Sequence, residues 1–221
     1  MFWHKWLTCQ TLMHFAFCFV HFSDSPDDIN LLAAVGSPLP PDVRPVTGPF
    51  GRFGRPAVEF TPQSYVGRWA KDILPIPFYF NFGIKVTIYM QSIKGGVLFT
   101  VLEMDHSNII LGLQILRYGQ NNQSLELTYQ NKETDNTNKQ LVVRFVLPDF
   151  SRRWTVFSIS VVGNRATLYF NGCQKVFSQN FATEQRRSLS IGPKNPIFLG
   201  MSGWYIQKPP LFVSIRFLDF Y

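Results

Sequence analysis

Along most of this chain, apolar and polar side chains alternate with a period of two. Ile84, Val86, Ile88 and Met90 fall on one side of the run from Gly83 to Met90, and Lys85 and Thr87 on the other. Leu125, Leu127 and Tyr129 alternate with Glu126 and Thr128; Leu141, Val143, Phe145 and Leu147 alternate around Arg144. Successive side chains of a strand leave opposite faces, so each run predicts a strand with one buried face. Ile109, Leu111, Leu113 and Ile115 predict another, and Ala57 to Phe60 a short one. Val97 to Leu102 is apolar on both faces, as in a central strand. Ile197 to Leu199 and Leu211 to Phe220 close the series, with Val213, Ile215 and Phe217 on one face of the last.

The clearest local signal runs from Trp154 to Phe177. Trp154 to Val162, Arg165 to Phe170 and Cys173 to Phe177 are separated by Gly163-Asn164 and Asn171-Gly172. Such pairs tolerate the positive φ of tight hairpin turns, so an antiparallel meander with two-residue turns is predicted. Helical signal is confined to Pro26–Val35, where Asp27 or Asp28 is the expected cap, Ile29, Leu31, Leu32 and Val35 share a side, and Gly36 ends the run. Ser37 to Pro56 is rich in Pro and Gly and reads as an irregular lead-in. The expectation is an all-β, two-sheet antiparallel sandwich with a short N-terminal helix.

Composition agrees. The 221 residues suit one large β domain, and 22 phenylalanines favour thick, aromatic-filled sheets. Charged residues are 16% of the chain, which excludes a disordered or coiled-coil sequence.

Charge placement changes the picture more. The net charge is +7, and from Arg144 to Lys208 there are nine basic residues against two acidic ones. The excess therefore lies in one third of the sequence. A local cationic field attracts polyanions: sulfated glycosaminoglycan, nucleic acid or an anionic membrane. Arg152 and Arg153, Arg165, Lys175, Arg186 and Arg187, and Lys194 stand in or beside predicted turns and are the candidate contacts. Arginine forks grip sulfate in bidentate fashion. Nucleic acid is disfavoured, because the aromatics follow strand alternation rather than forming a stacking track.

Met1 to Ser23 carries Lys5 and then an apolar run, Leu7 to Phe22, of sixteen residues. That is short for a membrane span, so a secretory signal over 1–23 is expected, followed by a lead-in over 24–56 and the β domain over 57–221. Cys9 and Cys18 fall within the signal, which leaves Cys173 unpaired in a mature secreted chain. A lone thiol of this kind pairs between molecules, lacks its partner, or is buried and inert. Asn122-Gln123-Ser124 is a sequon in a polar stretch read as a loop, an expected glycosylation site.

Enzyme signatures are thin. His106 is the lone histidine after the leader and sits among polar residues between two strands. Glu103 and Asp105 are spaced for one face of a strand, as a retaining glycoside hydrolase would need, but they fall at a strand's end and read as a turn pair. Asp105 and Asn108 are an alternative rim for Ca²⁺, which demands more oxygens than this stretch supplies. No cofactor and no metal are expected.

The residues also carry a resemblance. Gly95-Gly96-Val97-Leu98-Phe99 leads into Ile109-Ile110-Leu111-Gly112-Leu113; Phe145-Val146-Leu147-Pro148 precedes Trp154, and Thr167-Leu168-Tyr169-Phe170-Asn171-Gly172-Cys173 follows. This order resembles the thrombospondin N-terminal-like module, a branch of the laminin G-like, concanavalin A-type jelly rolls. Asn30-Leu31-Leu32 and Gly36-Ser37-Pro38-Leu39-Pro40 resemble its opening in the multiplexin collagens, types XV and XVIII. The similarity runs from about Asp27 to Phe220. It implies a non-enzymatic, secreted matrix or adhesion module, associated with a collagen trimer in longer chains, several of whose relatives bind heparin or heparan sulfate. In that family a Cys at the position of Cys173 pairs with one beyond the last strand, where this sequence has none. Glycoside hydrolase or Ca-dependent lectin activity on the same scaffold is the alternative.

Overall fold

The computed structural model describes residues 29–48, 57–61, 63–132, 138–172, 174–183, 185–200 and 213–220. Among the described residues fourteen strands follow in chain order: β1 (Ile29–Asn30), β2 (Val43–Val46), β3 (Ala57–Phe60), β4 (Val66–Trp69), β5 (Phe82–Met90), β6 (Gly95–Leu102) and β7 (Ile109–Tyr118), then β8 (Asn122–Lys132), β9 (Asn138–Pro148), β10 (Trp154–Val162), β11 (Arg165–Phe170), β12 (Lys175–Asn180), β13 (Pro196–Leu199) and β14 (Val213–Phe220). They form two antiparallel sheets, one ordered β12-β11-β10-β5-β14-β3-β2 with β1 also on β14, the other β4-β13-β6-β7-β8-β9. The chain is an all-β, two-sheet jelly-roll sandwich.

The period-two pattern explains the layers. Ile84, Val86 and Ile88 of β5, Phe157 and Ile159 of β10 and Leu168 of β11 are buried against Leu111, Leu113, Leu125, Leu127, Leu141, Val143 and Phe145 of the other sheet. Each such side chain removed from water contributes roughly 1.5–3 kcal/mol. β6, apolar on both faces, is an interior strand between β13 and β7. Leu98 and Val101 join the main core, while Leu102 packs with Ile109 and Phe198 in a smaller cluster.

Three local expectations are revised, and one strand is added. The helix is a five-residue 3₁₀ turn, Leu31–Val35, capped by the Asn30 side chain, which accepts from the Leu32 N–H at 2.9 Å. It starts no earlier because Ile29 and Asn30 pair with Phe220 and Asp219; Asp27 and Asp28 lie outside the described residues. The lead-in is not wholly irregular: Val43–Val46 pairs with β3. Pro45 is tolerated there because β2 is the edge of its sheet, where a missing N–H breaks no ladder. β4, unmarked by alternation, forms the edge of the other sheet. In the meander, Val162 pairs with Arg165 across a two-residue turn with Gly163 at φ 54°, but Phe170 pairs with Lys175, so the second connection has four residues.

Candidate functional site

Register decides which loops meet. At one end of the sandwich, the Arg152 N–H donates to the Met90 carbonyl at 2.7 Å and the Asp149 N–H to that of Asn121 at 3.0 Å. Gln123 Nε2 reaches the Ile93 carbonyl at 3.1 Å, and the Asn171 N–H reaches that of Val156 at 2.9 Å. The connections β5–β6, β7–β8, β9–β10 and β11–β12 therefore share this end. At the other, the Phe181 N–H donates to the Asn164 carbonyl at 3.0 Å and the Gly163 N–H to Asn81 Oδ1 at 2.9 Å. There the β6–β7 turn, the β10–β11 turn and the long segment leading to β13 come together.

This divides the predicted cations. Arg152, Arg153 and Lys175 are exposed at the first end. Arg165, Arg187 and Lys194 are exposed at the second. The nine residues of β10 separate the two groups by about 26 Å at 3.3 Å per residue. The expected set of seven does not form one surface.

Two residues from outside the basic third join the first group. Lys94 is exposed in the β5–β6 turn, and Arg117 near the end of β7, its Nε donating to the Gly119 carbonyl at 3.0 Å. Five exposed cations in or beside four connections thus share one end. The carboxylates described there are Asp149, which accepts from the Ser151 N–H at 2.8 Å, Glu59, to which Gln91 Nε2 donates at 2.6 Å, and the exposed Asp42 just before β2. Sequence reasoning missed Lys94 and Arg117 because both lie where acidic and basic residues balance along the chain. The available signal was their position beside Gly95-Gly96 and Gly119 turn residues.

Arg186 requires a correction. It is 2% exposed and cannot serve a surface ligand. Its Nε donates to the Gly163 carbonyl at 2.6 Å, Nη1 to the Tyr129 hydroxyl at 2.8 Å and Nη2 to the Phe80 carbonyl at 2.6 Å. The guanidinium carbon stands 4.1 Å from the Phe80 ring centroid. Burial lowers its pKa, partly opposed by Tyr129, and raises that of the Tyr129 phenol. Arg144 is also engaged: its Nε donates to Glu126 Oε1 at 2.6 Å, and the nearly buried Glu126 also accepts from Gln114 at 2.9 Å and Ser124 at 3.2 Å.

The acidic pair holds a turn. Glu103 accepts from Asn108 Nδ2 at 2.8 Å, Gln130 Nε2 at 2.8 Å and Ser107 Oγ at 3.3 Å. The Asn108 bond leads in lowering its pKa. Asp105 is exposed and accepts from the Ser107 N–H at 3.0 Å and hydroxyl at 2.7 Å, which likewise lower its pKa. Among the described residues no three His, Cys, Asp or Glu side chains group as metal ligands. His106 lies in the same turn at φ 61°, its ring 5.8 Å from that of Phe198. Asn122 is exposed, but as the first residue of β8 rather than in a loop, and Ser124 of the sequon is buried. Cys173 lies outside the described residues, as does the proposed signal segment. No helix of the described residues is long and apolar enough to cross a membrane.

No family model matches the chain. Among solved structures it is similar to a native heptameric SAP-like pentraxin from Limulus polyphemus, at 14% identity over 62% of this chain and 62% of that one, TM-score 0.42. It is similar to the sialidase CBM40 of Ruminococcus gnavus bound to α2,3-sialyllactose, at 14% identity over 64% of this chain and 75% of that one, TM-score 0.44. Domains LG4-5 of the mouse laminin α1 chain match at 14% identity over 74% of this chain and 39% of that one, TM-score 0.43. The match spans less than two thirds of the pentraxin and laminin chains. At such identities the likeness is one of sheet architecture.

Proposed function

We propose that this chain is a non-catalytic extracellular module that holds a sulfated, polyanionic glycan of the heparan sulfate class at one end of its sandwich. The supporting observation is the gathering of Lys94, Arg117, Arg152, Arg153 and Lys175, all exposed, in or beside four connections at that end. Rigid strands fix the spacing of these loops, so a linear polyanion meets a preformed field rather than ordering it on contact. Arg117, Arg152 and Arg153 supply forks for sulfate, and Lys94 and Lys175 point charges. Arg165, Arg187 and Lys194, at the far end, which also carries Glu103, Asp105 and Asp72, contribute little in this reading. Glu103 and Asp105 are occupied in holding their turn, which argues for binding rather than hydrolysis. Secretion through residues 1–23, a matrix location, a β domain over 57–221 and association with collagenous chains belong to the same proposal.

Immobilised heparin tests it. The chain is expected to bind at low salt and elute with rising NaCl. Alanine at Lys94, Arg117, Arg152, Arg153 and Lys175 is expected to abolish retention, while alanine at Arg165, Arg187 and Lys194 leaves elution nearly unchanged. Flow-through of the unaltered chain at low salt, or equal losses from both variants, overturns the reading.

A further inference from the structure

A different part of the surface has the chemistry of a sugar site. On the outer face of the second sheet, at the end away from the basic cluster, a cleft of about 440 Å³ opens between β4, β13 and the β6–β7 turn. Its floor is Phe198. Tyr65 stands against it with ring centroids 5.6 Å apart, and His106 at 5.8 Å. Trp69, on the edge strand β4, is 51% exposed and Tyr65, just before it, 46%, large aromatic surfaces presented to solvent. Gly67 makes the floor possible: a Cβ there would stand 2.8 Å from the Phe198 ring. Arg68 and Asp72 also line the cleft. Arg68 Nη1 bonds the Gly67 carbonyl at 3.0 Å, and Asp72 has no ion-pair or hydrogen-bond partner among the described residues.

We infer that this cleft binds a neutral hexopyranose unit of a glycan. The argument is chemical. A pyranose ring presents a face of C–H bonds, weakly positive, which suits the negative face of an indole or phenol ring. Its hydroxyls both donate and accept, and the lining of the cleft includes a carboxylate acceptor, Asp72, and a guanidinium donor, Arg68. Arg68 and Asp72 have opposite charge, so the cleft attracts neither a sulfate nor an ammonium strongly. Its volume falls within the range of small-molecule sites, and its open side admits a chain end rather than enclosing a free metabolite. The site is independent of the basic end and does not depend on the polyanion reading.

The test is a panel of neutral oligosaccharides (lactose, cellotriose, maltotriose and chitotriose) titrated into the whole chain by calorimetry. Saturable binding of at least one is expected, insensitive to about 0.5 M NaCl because no net charge is involved. Trp69→Ala and Asp72→Asn are each expected to weaken it by about tenfold or more, as for a buried aromatic anchor. Trp69→Phe should restore part of the affinity. The five-residue alanine variant of the basic end should bind unchanged. Absence of binding by all four sugars, or binding that survives Trp69→Ala, or binding lost with salt and with the basic-end variant, overturns the inference.

Discussion

Arg186 and Tyr129 clasp the two sheets together: the guanidinium donates to the phenol oxygen at 2.8 Å and lies 4.9 Å from the same ring's centroid. Tyr129 passes the connection on, its hydroxyl donating to the Arg187 carbonyl. Among the described residues Arg186 carries its charge inside without a carboxylate, its acceptors being carbonyls, the phenol and, at 3.5 Å, the Asn81 amide oxygen. Removing it as Arg186→Ala strands several buried acceptors at once. The expected loss is about 3 kcal/mol or more in urea unfolding. Arg186→Lys should recover little of it, since a compact ammonium lacks the planar fork that spans three separate acceptors while stacking on Phe80. Tyr129→Phe should cost about 1–3 kcal/mol. Wild-type stability in Arg186→Ala would show the clasp to be idle.

The basic end makes a different kind of prediction for Arg144. It belongs to the cationic third of the sequence, yet its Nε is bound to Glu126 at 2.6 Å. Arg144→Ala should leave heparin elution unchanged and lower stability by about 1–3 kcal/mol, because Glu126 then stays nearly buried with fewer donors. A clear fall in the eluting salt concentration would place Arg144 in the glycan site instead.

Glu103 links stability to pH. Its pKa lies below the ordinary glutamate value of 4.5, chiefly through the Asn108 hydrogen bond. A carboxyl group that is more acidic in the folded state binds fewer protons there than in the unfolded chain. Its contribution is therefore complete above pH 4.5 and is lost as pH falls through the lower, folded value. Glu103→Gln should flatten the stability–pH curve below pH 4.5 and leave its shape at neutral pH unaltered. Parallel curves for the two proteins would remove Glu103 as the source.

Gly67→Ala tests the aromatic cleft from its floor. The added Cβ meets Phe198 Cε1 at 2.8 Å, so the ring must move into the cleft or the strand must shift. Overpacking of this kind costs about 1–3 kcal/mol. Neutral-sugar binding should fall with it, while heparin elution stays as in the parent. A substitution that changes neither stability nor sugar binding would mean that the floor is free to give way.

The strands were legible because burial on one face leaves a period of two, as at Ile84 to Met90 and Leu141 to Leu147. The first meander turn was legible because Gly163 accepts a positive φ. β2 was not, since Pro45 and a short edge strand carry no alternation. The buried role of Arg186 was hidden for a related reason: carbonyls and a phenol satisfy it, and neither appears in a charge count.

The sequence by itself determined a sheet sandwich and a surplus of positive charge, for both follow from residue types and their local order. Which cations stand together was decided by tertiary structure alone. Strand register sends Arg152 and Arg165 to opposite ends, recruits Lys94 and Arg117 from distant hairpins, and turns Arg186 inward. Proximity in a folded sheet depends on pairing between distant segments, and no local pattern along the chain encodes that distance.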